Sequence, residues 1–502
     1  MKYRNPVIPG FFPDPSICRA GDTYYLVCSS FQFFPGVPLF ESRDLVNWTQ
    51  IGHVLTRESQ LPLQNANSVG GIYAPTIRYN EGRFYMVTTN VTNGGNFYVW
   101  TDDIHGEWSD PIYVEQGGID PSLYFEDSKA YFMSNGTDEQ GIARIYQCEI
   151  DIATGRKLTE AVPVWEGCGG RFLESPHLYK INGSYYLMAS EGGTEYGHMV
   201  VYAKGDAVNG PFTSYAKNPV LTNRNLGGYQ IQGCGHADLV QDPQGNWWMV
   251  HLGFRQIGNW VMHHITGREV YLVPVTFDAD GWFTAGVNGT TRAEMETDRI
   301  PEDVVQHPVP DKYFTNTKIG VDWCFMGNPV QGDYAFENGK VLLRSNGTLL
   351  SDAGANPTFL GMRQQEMNLH ISCTVRKSAQ EAGITMYMTP EQHYEIAVRP
   401  TESGYEIIRR RQIGDLVVTD GNIPFPANCD AARLIVECSN YVYQFKAECG
   451  GKLYDLGSAQ TKYLSTEVAG NFTGVMIGLY AQGEKCSEFA EFTNFICENL
   501  EK

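Results

Sequence analysis

Polar turns followed by short apolar runs recur along the first three hundred residues. Five segments share the pattern: Asp22–Val27, Gly82–Val87, Ser128–Met133, Gly183–Met188 and Gly245–Val250. Each carries an anchor aromatic, at Tyr25, Tyr85, Tyr131, Tyr186 and Trp248, so the intervals are 60, 46, 55 and 62 residues. That spacing holds four short strands and their loops, which is one blade of a propeller. Ser42–Trp48, Gly106–Pro111 and Gly210–Phe212 read as the ends of outer strands in successive blades. No long stretch has helical periodicity, and 53 Gly and 25 Pro supply dense turns, so the class is all-β. The pattern predicts a five-bladed β-propeller over residues 1–299.

The repeat stops near residue 300. Residues 300–312 are Pro-rich and polar and read as a linker. Short alternating runs follow, among them Leu369–Val375, Gly383–Met388, Tyr394–Val398, Leu434–Cys438 and Tyr441–Phe445. They predict a jelly-roll-like β-sandwich over 313–502. A chain of 502 residues is too long for one core, so two domains are expected. Arg409–Arg411 reads as a solvated strand face.

Aligning the five units on their anchor aromatics brings chemistry into register. Eleven residues before the anchors lie Asp14, Ala74, Asp120, Ser175 and Ala237; twelve before lie Pro13, Tyr73, Ile119, Glu174 and His236. These positions enter the first strand of each blade, and in a propeller that strand lines the central channel. Three carboxylates and one imidazole are therefore expected around a single axis. Asp-Pro is a common turn opener, which would explain one occurrence. It does not explain Pro13–Ser16, Ile119–Ser122 and Leu173–His177 recurring in register. Two carboxyl groups of opposite protonation can cleave a glycosidic bond, one as acid and one as base. A third nearby can hold the acid protonated by like-charge repulsion.

Composition narrows the partners. Aromatic residues make up 13% of the chain, with 29 Tyr, 25 Phe and 9 Trp. Most such rings build the core, and some can stack on sugars. The formal charge is −20, which disfavours nucleic acid and anionic membranes and suits a neutral substrate. Twelve cysteines stand singly without zinc-ligand spacing, so reduced, buried thiols are expected. No apolar leader follows Met1 and no window approaches a membrane span. The expectation is a cytoplasmic chain.

The motifs also resemble a known family. Asn5–Ile17, Phe34–Pro38, Asp44–Trp48, Tyr73–Ile77, Asp120–Ser122, Glu174–His177, Gly235–Asp238 and Gly267–Glu269 resemble glycoside hydrolase family 43, in order, from about residue 5 to 290. The resemblance implies an inverting mechanism, with Asp14 as general base, Asp120 tuning and orienting the acid, and Glu174 as general acid. It makes Arg268 the arginine that binds the terminal sugar, a role its fork of donors suits. Phe31 is a candidate pocket wall. Tyr73 stands where family xylosidases often carry Trp, which alters one wall.

His236 matches a histidine that in many members faces the channel, beside a calcium ion or a water. A structural Ca²⁺ at His236 is therefore an expectation, with water completing its shell, and no cofactor is required for the chemistry. The expected substrate is an arabinoxylan- or xylan-derived oligosaccharide, from which the enzyme releases terminal α-L-arabinofuranosyl or β-D-xylosyl units. Three alternatives remain: mainly β-xylosidase activity, a sugar-binding propeller without catalysis, and a retaining enzyme acting on fructans. Many family members carry a sandwich packed on the propeller. One of its loops is a candidate to narrow the site mouth, but the sequence does not single it out.

Overall fold

The computed structural model describes residues 1–314, 319–337, 339–470 and 472–500. Five four-stranded antiparallel sheets follow one another from Ser16 to Ala285, each ordered outward from its first strand. The first strands of the blades are Ser16–Ala20, Thr76–Asn80, Ser122–Glu126, Glu174–Ile181 and Ile231–Gln241. All five anchor aromatics lie on the second strand of their blade.

The anchor strands carry the contacts between blades. Tyr25 meets Phe84 of the next blade at 5.2 Å between ring centroids, and Tyr85 meets Phe125 at 5.0 Å. Tyr186 meets Phe277 at 5.8 Å. Large rings suit these wedge-shaped gaps because they bury much area with little rotamer entropy. The ring closes through a two-stranded sheet that pairs Lys2–Arg4 with Glu294–Glu296.

Polar bonds also cross the channel. Arg78 of the second blade donates to Asp238 of the fifth at 2.8 Å. Ser16 of the first and Tyr179 of the fourth donate to the same carboxylate. Burial opposes ionisation of Asp238, but Arg78 outweighs it and holds the carboxyl far below its usual range. A buried charge is tolerated only when paired and fully hydrogen-bonded, and here the pairing ties four blades together.

The second domain is a β-sandwich of two large antiparallel sheets, from Lys312 to Asn499. Its core runs through Trp323, Leu360, Ile371, Leu434, Phe445 and Phe492. The two domains share a sheet: Phe33–Phe34, in a propeller loop, pairs with Phe325–Met326 at the sandwich edge. Beside that pair, Leu63 N–H donates to Asn328 Oδ1 at 2.8 Å, and Asn328 Nδ2 donates to Leu61 C=O at 2.8 Å. A further core bridges the junction, joining Phe11, Phe31 and Phe33 to Phe359, Tyr387 and Tyr480. The segment before the sandwich is pinned to the propeller by Asn47, which bonds Val305 and His307. All twelve cysteines are free thiols.

Asn328 supplies both partners of a buried backbone pair. Asn328→Ala is expected to cost about 1–3 kcal/mol and to lower the calorimetric unfolding temperature. An unchanged transition would contradict the assigned role of this junction.

Candidate active site

The residues that enter the innermost strands adopt a conformation that aims them at the axis. Asp14, Asp120, Ser175 and His236 have φ of 58°, 53°, 53° and 46°, a left-handed backbone that non-glycine residues rarely take. In the fourth blade this kink falls on Ser175, and Glu174 comes just before it. Glu174 also begins its strand, with a register shift before His177. The acid of this blade therefore leaves the backbone one residue earlier than Asp14 and Asp120 do. In the fifth blade two register shifts, between Gln232 and Gly235 and between Gly235 and Ala237, move the kink onto His236. By backbone geometry His236 is the counterpart of Asp14 and Asp120, one step away from the simple repeat count.

The candidate residues converge. Arg268 Nη1 donates to Asp14 Oδ1 at 2.6 Å and to Thr194 Oγ1 at 3.1 Å. Ser29 Oγ donates to Asp14 Oδ2 at 2.5 Å. His236 Nδ1 lies 3.7 Å from Asp14 Oδ1 and 4.0 Å from Asp120 Oδ2, and its backbone N–H donates to Ser190 Oγ. His198 Nε2 is 3.9 Å from Glu174 Oε1. The Arg268 guanidinium sits over the Phe31 ring, 5.8 Å from its centroid, and Tyr73 meets Phe31 edge-on at 5.5 Å. Tyr73 is fixed by its own hydroxyl, which donates to Val69 C=O at 2.7 Å.

Electrostatics separates the three acids. Burial would raise the Asp14 pKa, but Arg268, His236 and the Ser29 hydroxyl outweigh it and hold Asp14 below its usual value. Burial pushes Asp120 up to about 6, with Asp14 adding to the rise and His236 opposing it. Glu174 is raised well above the carboxylate range, first by burial and then by the charges of Asp120 and Asp14. The site thus biases Asp14 towards its ionised form and Glu174 towards its protonated form. Burial lowers His198 to about 3, so its ring faces Glu174 as the neutral base.

Arg268 Nη2 is buried and has no partner among the described residues, so one arm of the guanidinium is available to a ligand. The donor set does not fit a calcium ion held by the chain. Calcium takes 6–8 oxygens, whereas both oxygens of Asp14 are already bonded to Arg268 and Ser29. No group of three or more His, Cys, Asp or Glu among the described residues is arranged to hold a metal. A shell at His236 would consist almost entirely of water.

The sandwich contributes the part of the site that sequence reasoning missed. Phe472 stacks on Phe31, with centroids 5.5 Å apart and planes 16° apart, and meets Tyr73 at 5.4 Å. The Arg268 guanidinium lies 5.0 Å from its centroid. Just upstream, Glu467 fastens this segment to the propeller, accepting from His264 N–H at 2.9 Å and from Tyr196 OH at 2.8 Å. No repeat or motif marks Phe472 in the sequence. Ser29, Thr194 and His198 also went unassigned, because their roles depend on side chains far away in the chain.

A sequence model described as "Glycosyl hydrolases family 43" matches residues 3–283, and one described as "Beta xylosidase C-terminal Concanavalin A-like domain" matches residues 311–498. The chain is similar to a non-reducing end α-L-arabinofuranosidase of Bacteroides ovatus, with 38% identity over 96% of this chain and 91% of the relative. It is 36% identical to a xylosidase/arabinosidase of Butyrivibrio fibrisolvens, covering 99% of each chain. A solved structure described as Bacteroides ovatus xyloglucan PUL GH43B superposes with a TM-score of 0.93 at 37% identity, covering all of both chains.

Asp120 is the principal charge acting on Glu174. Asp120→Asn is therefore expected to lower the pH at which Glu174 loses its proton. Infrared carboxylate titration of the variant, with and without Glu174→Gln, reads that shift.

Proposed function

Because this chain belongs to glycosyl hydrolase family 43, we propose that it removes terminal α-L-arabinofuranosyl units, and β-D-xylosyl units, from arabinoxylan- or xylan-derived oligosaccharides with inversion at the anomeric carbon. The observation that carries the reading is the convergence of three carboxyls on one channel, of which Asp14 alone is bonded to Arg268. Asp14, ionised, takes a proton from water as the water attacks the anomeric carbon. Glu174, protonated, delivers its proton to the leaving oxygen. Asp120 keeps Glu174 charged with that proton and orients it. These steps are acid–base chemistry of the chain's own residues and require no cofactor.

Arg268 suits the terminal sugar. One nitrogen is committed to Asp14 and Thr194, and the other is free to bond a hydroxyl. Phe31, Tyr73 and Phe472 enclose it with ring faces and edges. Aromatic walls stack on a sugar and exclude bulk water, which strengthens every charge interaction inside. A pocket walled in this way favours a chain end over an internal residue, hence exo action. The relatives named for arabinofuranosidase and for both activities favour the arabinofuranosyl unit as the first substrate to try.

Asp14→Ala and Glu174→Ala are each expected to lose hydrolysis of nitrophenyl α-L-arabinofuranoside and β-D-xyloside by at least about a hundredfold. Retained turnover in either variant would overturn the role assigned to that residue, and proton NMR of the first-released anomer tests inversion. Phe472→Ala removes the roof while leaving the acids in place. Its kcat/KM on the same substrates is expected to fall roughly tenfold, and an unchanged value would remove the sandwich from the site.

A further inference from the structure

Phe172 combines two costs. It is 62% exposed, and its φ is 54°. A bulky residue in the left-handed region is strained, and an exposed ring returns little by burial. The backbone and side chain next to it are nonetheless tied down. Gly192 N–H donates to Arg171 C=O at 2.8 Å, and Arg171 Nε donates back to Gly192 C=O at 3.0 Å. Arg171 forms an ion pair with Glu195, and its guanidinium lies 5.3 Å from the Phe172 ring centroid. A Cβ at Gly193 would come within 3.0 Å of Phe172 Cδ2, so the ring lies directly against this glycine, where a side chain would crowd it.

These contacts locate the ring. Thr194, the residue after Gly193, bonds Arg268, and Glu174 is two residues beyond Phe172. The exposed ring therefore lies against the loop that holds the sugar-binding arginine, two residues before the acid. An acid that protonates a leaving oxygen has the departing sugar on its own side.

We propose that Phe172 is the stacking platform for the sugar on the leaving-group side, which in the substrates proposed above is a pyranose. Such a ring presents a flat face of C–H bonds to an aromatic surface and its hydroxyls to the edge. The Arg171–Glu195 pair beside the platform offers donors and acceptors for those hydroxyls. It carries no net charge, so it gives no advantage to an acidic sugar. The proposal rests on the glycosidase reading and adds the residue that receives its substrate's second unit.

The test compares two substrates that release the same terminal sugar. One is an arabinosylated xylo-oligosaccharide and the other is methyl α-L-arabinofuranoside; xylotriose and methyl β-D-xyloside serve if the wild type releases xylose. In Phe172→Ala the ratio of kcat/KM for the oligosaccharide to that for the methyl glycoside is expected to fall about tenfold, through KM. Phe172→Tyr is expected to restore it. A ratio unchanged in Phe172→Ala, or a loss that Phe172→Tyr does not restore, overturns the platform while leaving the glycosidase reading intact. Wild-type protein inert on all four substrates overturns that reading and the platform with it.

Discussion

Three carboxyl groups, Asp14 and Asp120 buried and Glu174 half-buried, gather around one axis, and a single guanidinium is bonded to one of them. Burial disfavours every ionised carboxylate, and Arg268 compensates directly for only one. Asp14 takes that compensation, through the 2.6 Å bond to Arg268, and stays ionised. The remaining two feel its negative charge as well as burial, so Asp120 rises to about 6 and Glu174 rises well above its usual value. Acid and base are thus set by an unequal share in one positive charge. Much of the architecture maintains that inequality. Glu269, next to Arg268, is gripped by Arg255 at 2.9 and 2.7 Å, and Arg255 reaches across to Glu366 and Gln365 of the sandwich.

The aromatic walls follow from the same need. A charge separation of this kind weakens if water enters freely, because water screens each contribution. Phe31 comes from the first blade, Tyr73 from the approach to the second, and Phe472 from the other domain. Glu467 holds the segment bearing Phe472 through two bonds from His264 and one from Tyr196. The second domain is thereby part of the pocket as well as a packing partner.

Fold class and blade number were legible because a propeller repeats. Five anchor aromatics at regular intervals report five equivalent strands, and the same register exposes Asp14, Asp120 and Glu174. The offset of Glu174 was visible in the count, but its cause was not: the left-handed residue in that blade is Ser175. His236 shows the limit of counting. Bulges in Ile231–Gln241 shift its kink by one, and nothing in the local sequence announces a bulge. Arg268 lies outside the repeat register and was identified through its Gly-Arg-Glu motif. Phe472 was illegible because its contact with Phe31 spans more than four hundred residues and belongs to no repeat. Likewise, the strain at Phe172 exists only as a backbone angle.

The pairing of Phe33–Phe34 with Phe325–Met326 has an evolutionary corollary. Domains joined by a tether can be shuffled, because each keeps its hydrogen bonds when separated. Here an edge of the sandwich is completed by a loop of the propeller, so a recombination break between the two would orphan backbone groups on both sides. It would also leave the pocket without its roof. The two halves are expected to be inherited as one unit, and changes in substrate preference to arise by drift in the rings that meet at the seam, without acquisition of a new module.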